Sequence, residues 1–333
     1  MTPRRRIIPL FVPHLGCPND CVFCNQRKIS GSLTPADGDT VRRTLDAARE
    51  YTPDGAELAF YGGSFTAIPE EQQRELLEAA RPYVEKGFIA EIRVSTRPDK
   101  IDHAALKLLS EYGVKTVELG SQSMDERVLR MSGRGHTADD TRRAAALIKV
   151  AGFNLMLQMM TGLPGSSVES DIMTARELIK LQPDGVRIYP TVIIRETALY
   201  DLWQAGKYRE HTVEDAVNVC AELVKEFAAA NVPIIRLGLN PTDDLSAGEA
   251  AAGAYHPALG ELVYSRMYLQ KAEKLIEEAG CQGTVILGVH PSRVSLMTGQ
   301  KRQNLAKLKA KFGLEDIKVI KTDVNDGEIV ILP

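Results

Sequence analysis

The chain lacks the features that mark membrane proteins and disulfide-stabilised proteins. No run of about 18 apolar residues occurs in its 333 residues, which argues against a membrane-spanning helix. The N-terminal stretch MTPRRRIIPLFVP has too short an apolar segment for a secretory signal peptide and no small-residue cleavage site. Only five cysteines are present, and most of them are clustered, which argues against a disulfide framework. We therefore expect a cytoplasmic protein without a membrane partner.

The chain also lacks a strong charge of either sign. Its formal net charge is -3, so composition gives no global indication of nucleic-acid binding. Residues 292–313 nevertheless form a local basic segment without an acid, and aromatic side chains that could stack on bases are nearly absent from it. Its cations are Arg293, Lys301, Arg302, Lys307, Lys309 and Lys311. Contact with RNA and an ordinary solvated surface helix are the two interpretations of this segment.

Short β-like runs alternate with longer amphipathic helical patterns along most of the chain. This alternation predicts a parallel sheet, open or closed as a barrel, with ligand sites at the carboxyl ends of the strands. The predicted strands are residues 7–12, 57–61, 90–95, 115–119, 154–160, 185–189 and 233–237. From about residue 279 a strand, a basic helix and two further strands predict a small α+β domain. We therefore predict two domains, 1–278 and 279–333.

Three cysteines, Cys17, Cys21 and Cys24, lie within eight residues in the spacing C-x3-C-x2-C. Thiolates are ligands for iron–sulfur clusters and for zinc. A structural zinc site needs four ligands, and His14 could supply the fourth. No second CxxC motif exists, however, and the other two cysteines stand alone. The pattern favours a cluster with three thiolate ligands, whose open iron can accept a cofactor, and leaves zinc as the alternative.

The cysteine spacing after a first predicted strand, with Phe23 before the third cysteine, resembles the radical S-adenosylmethionine (SAM) superfamily. The resemblance implies an incomplete parallel (β/α) barrel in which Cys17, Cys21 and Cys24 hold a four-iron four-sulfur cluster. It also implies an enzyme whose open iron chelates the methionine end of SAM, while Phe23 packs near the adenine. An electron from a flavodoxin- or ferredoxin-type donor would split the sulfonium, giving a 5′-deoxyadenosyl radical that abstracts a hydrogen atom.

Two further motifs follow predicted strands and are similar to motifs of the same superfamily. In FYGGSFTAIP at residues 60–69, Gly62, Gly63 and Ser64 are implied to contact the methionine end of SAM. The alternative is an ordinary tight turn, because Gly-Gly is a common turn sequence. Arg97 ends another predicted strand in STRPD and is a candidate for binding the cofactor carboxylate.

A third motif, VELGSQSMDERVLRMSGRGHT, ends a strand and begins a short helix. Gln122 or Ser121 is implied to hydrogen-bond the ribose or carboxylate of the cofactor. Arg134 could pair with a carboxylate in the bidentate geometry that guanidinium groups favour. The alternative role for Arg134, between Gly133 and Gly135, is to complete a helix C-terminus.

The agreement over roughly residues 5–240 is strongest with the catalytic subunit of Elongator, and oxygen-independent coproporphyrinogen oxidase is also similar. The motifs that carry it include GGSFTAIPEE, STRPD, TGLPGSS and RIYPTVIIRETALYDL. Tyr189, Arg187 and Arg195 lie at or just past a strand end, so we expect them on the substrate side of the site. Lys301 and Arg302 of the basic segment are further candidates for contact with substrate.

Three departures from the Elongator pattern limit what the resemblance implies. The Elongator subunit has a wider gap between its first two cysteines, and it carries Glu where this chain has Ser95. It also continues into an acetyltransferase domain, for which we expect this chain to be too short, and no Gly-rich pyrophosphate loop occurs near residue 333. We therefore do not expect the carboxymethylation of tRNA to carry over.

The sequence as a whole predicts a radical SAM enzyme, and RNA modification, of tRNA or rRNA, is the leading hypothesis. The first alternative is a radical SAM enzyme acting on a small molecule such as a porphyrin. The second is a non-catalytic RNA-binding module that holds zinc or an iron–sulfur cluster.

Overall fold

The protein is described here by a computed structural model, which covers residues 5–12, 21–25, 36–239 and 248–333. Cys17 and His14 lie outside these ranges. Seven parallel strands form one sheet in the order β1-β2-β3-β4-β5-β6-β8. They are β1 (Ile7–Phe11), β2 (Ala56–Tyr61), β3 (Ile89–Thr96), β4 (Val114–Gln122), β5 (Asn154–Thr161), β6 (Gly185–Pro190) and β8 (Ile234–Leu237).

Helices alternate with these strands and cover the outer face of the sheet. They are α1 (Gly38–Arg49), α2 (Glu70–Glu85), α3 (His103–Glu111), α4 (Glu126–Met131), α5 (Ala138–Val150), α6 (Val168–Lys180), α7 (Ala198–Gln204) and α8 (Val213–Ala229). One large apolar core joins both layers, with Leu58 and Phe60 of β2 packing in the same cluster as Leu45 and Leu76 of the helices. Because both faces of a parallel sheet are covered, its strands are buried along most of their length.

The sheet is curled into an incomplete barrel, as one side-chain contact shows. The Nη2 atom of Arg187 on β6 lies 2.7 Å from the hydroxyl oxygen of Tyr61 on β2. In a flat sheet these strands, four positions apart in the strand order, would be separated by about 19 Å. The two side chains can meet only across the concave face of a curled sheet, which confirms the predicted fold.

The concave face carries a buried ionic network of four charged side chains, which we call the lumen network. Glu118 on β4 accepts hydrogen bonds from Arg93 Nη1 at 3.3 Å and from Arg187 Nε at 3.0 Å. Arg93 Nε also donates to Glu57 at 2.6 Å. The four side chains are buried, and Glu118 is only 3% exposed. Two carboxylates and two guanidinium groups balance in charge, so the low-dielectric interior holds no net charge from this network.

The C-terminal part of the chain has its own sheet and its own apolar core. Strand β10 (Thr284–Val289) lies between the parallel strand β11 (Asp316–Lys321) and the antiparallel strand β12 (Ile329–Leu332). The helices are α9 (Leu259–Ala279), α10 (Val294–Thr298) and α11 (Gln303–Phe312). Helix α9 contributes to both cores, since Val263 packs in the first and Leu269 in the second. The predicted division after residue 278 stays a prediction.

The seven predicted strands are all present, and the structure adds features that the sequence patterns did not predict. Strands β7 (Val192–Ile194) and β9 (Ala250–Gly253) form a separate antiparallel pair. Each is too short for a recognisable alternation. The basic helix begins only at Gln303, because Lys301 and Arg302 have left-handed backbone angles, with φ of 50° and 60°. No helix within the described ranges is both long and apolar enough to cross a membrane.

Replacing Glu118 with Gln should destabilise the protein by about 3 kcal/mol, because the change leaves two buried guanidinium groups with too little compensating charge. The free energy of unfolding can be measured by urea denaturation. Glu278→Gln is the control, since the pair that Glu278 makes with Lys274 is exposed and should be worth less than about 1 kcal/mol. Equal effects of the two changes would contradict a structural role for the lumen network.

Candidate functional site

Cys21 and Cys24 lie on one tight turn that two other loops hold in place. The backbone N–H of Cys24 donates to the carbonyl of Cys21 at 3.0 Å. Between them, Val22 donates its N–H to the carbonyl of Ser132 at 3.1 Å and accepts from the N–H of Leu199 at 2.7 Å. Ser132 follows α4, and Leu199 lies in the first turn of α7. The turn therefore presents both thiols from a backbone that is fixed on two sides.

Two buried arginines lie beside this turn. The Arg134 guanidinium donates through Nη1 to Cys21 Sγ at 3.3 Å and through Nη2 to the carbonyl of Gly120 at 2.6 Å. Arg97 donates through Nη2 to the carbonyl of Arg134 at 2.8 Å and through Nε to Asp99 at 2.9 Å. The Nη1 atom of Arg97 is buried and finds no partner among the described residues. The Arg134 guanidinium thus faces a thiol, and the Arg97 guanidinium has a buried N–H donor without a partner among the described residues.

These groups fit an iron–sulfur cluster together with a carboxylate-bearing cofactor. Soft thiol ligands on a short turn suit iron. A buried donor without a partner costs free energy, so the Nη1 atom of Arg97 is explained by an acceptor such as a cofactor carboxylate. Two positive charges beside the turn would also balance an anionic cluster. Cys17, Cys21 and Cys24 would hold the cluster, and Arg97 would face the carboxylate; both assignments remain predictions.

The Gly-Gly motif forms a strained turn directly after β2. Gly62 and Gly63 both have positive φ, 75° and 55°, which side-chain-bearing residues rarely adopt. Ser64 is fully buried, and its hydroxyl oxygen lies 2.8 Å from the hydroxyl of Thr96 and accepts from the N–H of Arg97 at 3.2 Å. The Ser64 side chain therefore ties β2 to β3. A ligand at this motif would meet the backbone rather than that hydroxyl.

Gln122 ends β4 in an unusual backbone conformation. Its φ is 63°, in the left-handed region that an amide side chain seldom occupies. Its side-chain oxygen accepts from Gln158 Nε2 on β5 at 3.1 Å. A Cβ atom on Gly120 would lie 3.0 Å from the amide nitrogen of Gln122, so glycine is needed for this packing. A strained backbone at a strand end is common at ligand sites, and the predicted cofactor contact of Gln122 remains a prediction.

His136 is buried and neutral at physiological pH. Burial first, and the neighbouring Arg134 and Arg97 charges second, lower the pKa of His136 to about 4. Its Nε2 atom lies 3.2 Å from the carbonyl oxygen of Ser121. The ring therefore contributes packing and a hydrogen bond rather than a proton at pH 7.

An apolar wall borders the cysteine turn on its other side. Phe23 packs against a cluster formed by Val128, Met160 and Leu163, and Tyr189 packs against the same cluster. The wall is contributed by α4, β5, the loop after β5 and β6, which converge at the carboxyl edge of the sheet. A flat hydrophobic surface next to the thiols suits an aromatic ring of a cofactor. The predicted contact of Phe23 with an adenine is compatible with this position and stays a prediction.

The substrate-side candidates do not all lie together. Arg187 reaches the hydroxyls of Tyr61 at 2.7 Å and Tyr189 at 3.2 Å, so these three line the concave face. Burial raises the pKa of Tyr61 to about 12 and also raises the pKa of Tyr189, which keeps both hydroxyls protonated. Arg195 is exposed and donates to the carbonyl of Gly248 at 3.2 Å. Lys301 and Arg302 lie in the C-terminal part, and no hydrogen bond or ion pair described here joins them to the cysteine turn.

Several polar residues of the concave face escaped the sequence analysis. Glu118 and Arg93 of the lumen network and the Tyr61 hydroxyl were not singled out, nor was Gln158. A usable pattern existed, because charged residues recur at alternate positions inside strands that are otherwise apolar. Charged side chains in a buried strand need partners, so the alternation could have predicted an ionic network on one face.

The loop after β5 is clamped at Gly162 from three directions. Its N–H donates to Asp171 Oδ2 at 3.1 Å, and its carbonyl accepts from the Tyr208 hydroxyl at 2.5 Å. The ring of His211 lies so close that a Cβ atom on Gly162 would be 2.1 Å from it. Asp171 is 4% exposed, and burial raises the pKa of its carboxyl to about 7. The clamp fixes the loop that carries Leu163 into the apolar wall.

The sequence was compared with protein families and with known proteins. A profile of the radical SAM superfamily matches residues 11–178, which is half of the chain, and a profile of the radical SAM C-terminal domain matches residues 183–269. The chain belongs to the radical SAM superfamily. This membership identifies it as an enzyme and accounts for the incomplete barrel and the cysteine turn.

Relatives and solved structures of this radical SAM protein agree with the assignment. The chain is 33% identical to Elongator complex protein 3 of Mus musculus, with 65% of this chain and 42% of that protein covered. It is 30% identical to the tRNA uridine(34) acetyltransferase of Methanocaldococcus infernus, with 65% and 43% covered. The chain therefore spans less than half the length of these relatives.

Two solved structures share the fold. Elp3 of Methanocaldococcus infernus with an N-terminal deletion superposes with a TM-score of 0.62 at 24% identity, covering 83% of this chain and 64% of that one. Coproporphyrinogen III oxidase of Escherichia coli superposes with a TM-score of 0.50 at 18% identity, covering 68% and 54%. At these identities the superpositions support the architecture alone.

Asp171→Asn should remove a pH dependence of stability. The folded pKa of Asp171, about 7, lies above the ordinary value of 3.8, so its favourable contribution is complete below pH 3.8 and is lost as pH rises through 7. Between pH 5 and pH 8 the parent should lose about 2 to 3 kcal/mol relative to the variant, by 1.36 kcal/mol per pKa unit. Urea denaturation at the two pH values measures the difference.

Asp37→Asn is the control for this measurement. Hydrogen bonds from the Thr40 side chain and backbone lower the pKa of Asp37, so its carboxyl is ionised in both states between pH 5 and pH 8. This variant should follow the parent across the range. A parallel course of the Asp171→Asn variant and the parent would contradict the raised pKa.

Proposed function

We propose that the chain binds a four-iron four-sulfur cluster and SAM, cleaves SAM reductively, and uses the resulting radical to modify an RNA. The observation that carries the proposal is the turn that presents Cys21 and Cys24 beside Arg134, at the carboxyl edge of a parallel half-barrel. Parallel α/β folds place their reactive sites at this edge. The membership of the superfamily supports the same chemistry.

Each part of the site has a role in this proposal. Cys17, Cys21 and Cys24 would hold the cluster, which would supply the electron for the reductive cleavage of SAM. The electron comes from a small reduced electron carrier of the flavodoxin or ferredoxin type. Arg97 would bind the carboxylate through its buried Nη1 atom, and the backbone at Gly62 and Gly63 would face the amino end. Phe23 and the apolar wall would exclude water from the reacting carbon.

The concave face supports a polar substrate. Tyr61, Tyr189 and Arg187 supply donors there, and Gln158 and Gln122 supply an amide pair at the neighbouring strand ends. The lumen network below them fixes Arg187 through Glu118. A planar polar group such as a nucleobase has acceptors and donors that complement these groups. One relative is named for action on a tRNA uridine, which supports RNA as the substrate class.

The basic segment provides a surface for the RNA backbone, although the fold neutralises part of it. Arg293 forms a two-point ion pair with Asp326 at 2.5 Å, and Lys311 pairs with Glu273 at 3.0 Å. Cations without an ion pair among the described residues are Lys301, Arg302, Lys307 and Lys309. We call these four the basic patch. The patch holds four cations, whereas the sequence suggested six.

Lys301 and Arg302 of the basic patch border an open depression of about 560 Å³. Its lining also includes Gln300 and Thr298, which can donate hydrogen bonds, and the acid Glu261. Lys301 and Arg302 have left-handed backbone conformations. Close to them along the chain, the buried amide nitrogen of Asn304 donates within 3.1 Å to the carbonyls of Ser265, Leu296 and Met297. Strain maintained by a buried anchor is typical of binding loops.

Anaerobic reconstitution with iron and sulfide, followed by SAM and a reductant, should yield 5′-deoxyadenosine from the parent, detected by chromatography. Cys24→Ala should abolish the product, because a cluster ligand is lost. Cys220→Ala is the matched control, since Cys220 is fully buried in the apolar core and should not affect the product. Addition of a tRNA fraction should stimulate formation of the product, and a porphyrin should not.

Three outcomes of this experiment would reject the proposal at different levels. A colourless parent that contains zinc would reject the radical chemistry altogether. A parent with a complete cluster that forms no 5′-deoxyadenosine would leave the cysteine turn as a binding element. Stimulation by a porphyrin and not by RNA would indicate that the substrate is a small molecule.

The double substitution Lys301→Glu and Arg302→Glu should weaken RNA binding roughly tenfold at 0.1 M salt, because two phosphate contacts are replaced by repulsion. The slope of log affinity against log salt concentration should become less negative by about 1.4, because each phosphate contact with a single strand contributes about 0.7 to it. Filter binding with tRNA over a range of salt measures both. Lys86→Glu with Lys107→Glu makes the same charge change on exposed positions of the barrel. If the control pair weakens binding equally, net charge rather than the basic patch governs affinity.

A further inference from the structure

Arg134 occupies a position that the sequence analysis did not predict for it. It was expected to bind a carboxylate or to complete a helix end, but its Nη1 atom is directed at Cys21 Sγ at 3.3 Å. Arg134 and Cys21 are 8% and 9% exposed. A charged donor next to a buried sulfur interacts in a low dielectric, where its electrostatic effect is strong.

The guanidinium is fixed at both ends, so the contact is not a chance side-chain position. Its Nη2 atom donates to the carbonyl of Gly120 at 2.6 Å, and a Cβ atom on Gly120 would lie 3.3 Å from that nitrogen. The backbone N–H of Arg134 donates to the carbonyl of Leu129 at 3.0 Å, and the carbonyl of Arg134 accepts from Arg97 Nη2 at 2.8 Å. The same loop also holds Val22 through Ser132 at 3.1 Å. The loop between α4 and α5 therefore contacts the cysteine turn at two residues, Ser132 and Arg134.

We propose that Arg134 tunes the reduction potential of the cluster through its N–H···S hydrogen bond to Cys21. The inference rests on the proposed function, because it requires Cys21 to be a cluster ligand. Hydrogen bonds to ligand sulfurs and nearby positive charge stabilise the reduced state, which carries one more electron, and so raise the potential. An easier reduction allows a weaker biological donor to load the electron.

Three variants test this role by EPR-monitored redox titration of the reconstituted protein without SAM. Arg134→Gln removes the charge, Arg134→Lys keeps it without the two-nitrogen fork, and Gly120→Ala displaces the guanidinium without removing it. At a fixed solution potential the ratio of reduced to oxidised cluster should fall at least tenfold in Arg134→Gln, which corresponds to 59 mV for one electron. The other two variants should show smaller losses in the same direction.

Arg130→Gln is the matched control, because it removes the same charge from an exposed position on α4, four residues before Arg134. It should leave the ratio within a factor of two of the parent. A ratio unchanged in all three test variants, or an equal fall in Arg130→Gln, would overturn the proposal. If Arg134→Gln holds no iron, the two charge-retaining variants decide the question.

These measurements distinguish the tuning role of Arg134 from the proposed function and from binding of the SAM carboxylate by Arg134. Iron and sulfide content of the parent is measured first, and a parent without a cluster would reject the proposed function itself. A parent with a cluster whose potential is insensitive to Arg134 would reject only the tuning role. If Arg134 bound the SAM carboxylate instead, its loss would weaken SAM binding and leave the potential in the absence of SAM unchanged.

Discussion

The ion pairs of the Glu118 carboxylate are the interaction on which the structure of the concave face depends. The carboxylate accepts from Arg93 on β3 and from Arg187 on β6, and Arg187 in turn holds the hydroxyl of Tyr61 on β2. The contact between Arg187 and Tyr61 joins strands that are four positions apart in the sheet, so it can form only when the sheet is curled. The same charges that stabilise the curvature also place polar donors at the mouth of the half-barrel. Curvature and substrate environment therefore share one physical origin.

The cysteine turn is a second example of function built from distant segments. Cys21 lies between β1 and α1, yet its surroundings come from the loop after α4, whose Arg134 is held by β4, and from the first turn of α7. Arg97 supports Arg134, and Ser64 supports the backbone of Arg97. These three predicted cofactor contacts therefore hold one another in place. Rigid positioning of this kind suits a reaction in which a reactive radical must meet a single carbon.

Much of the fold and the types of site residue could be predicted from the sequence. The seven strands were predictable because each contains a short run rich in apolar and β-branched residues between helical patterns. The glycines and arginines at strand ends were predictable because parallel sheets place sites there. The orientation of the Arg134 side chain could not be predicted, since pairing with a sulfur 113 positions away leaves no local pattern in the sequence. The same holds for β7 and β9, whose pairing joins residues about 60 positions apart.

The order of strands in the sheet is the order in which the chain presents them. Each of β2 to β6 pairs with the strand that precedes it, and β8 adds to β6 at the open edge. A chain with this arrangement can grow its sheet during synthesis, because every new strand and helix finds its neighbour already in place. The barrel does not have to close before it is stable. Under the proposed function, the edge at β8 would let a long substrate enter from the side, which a closed barrel would permit only along its axis.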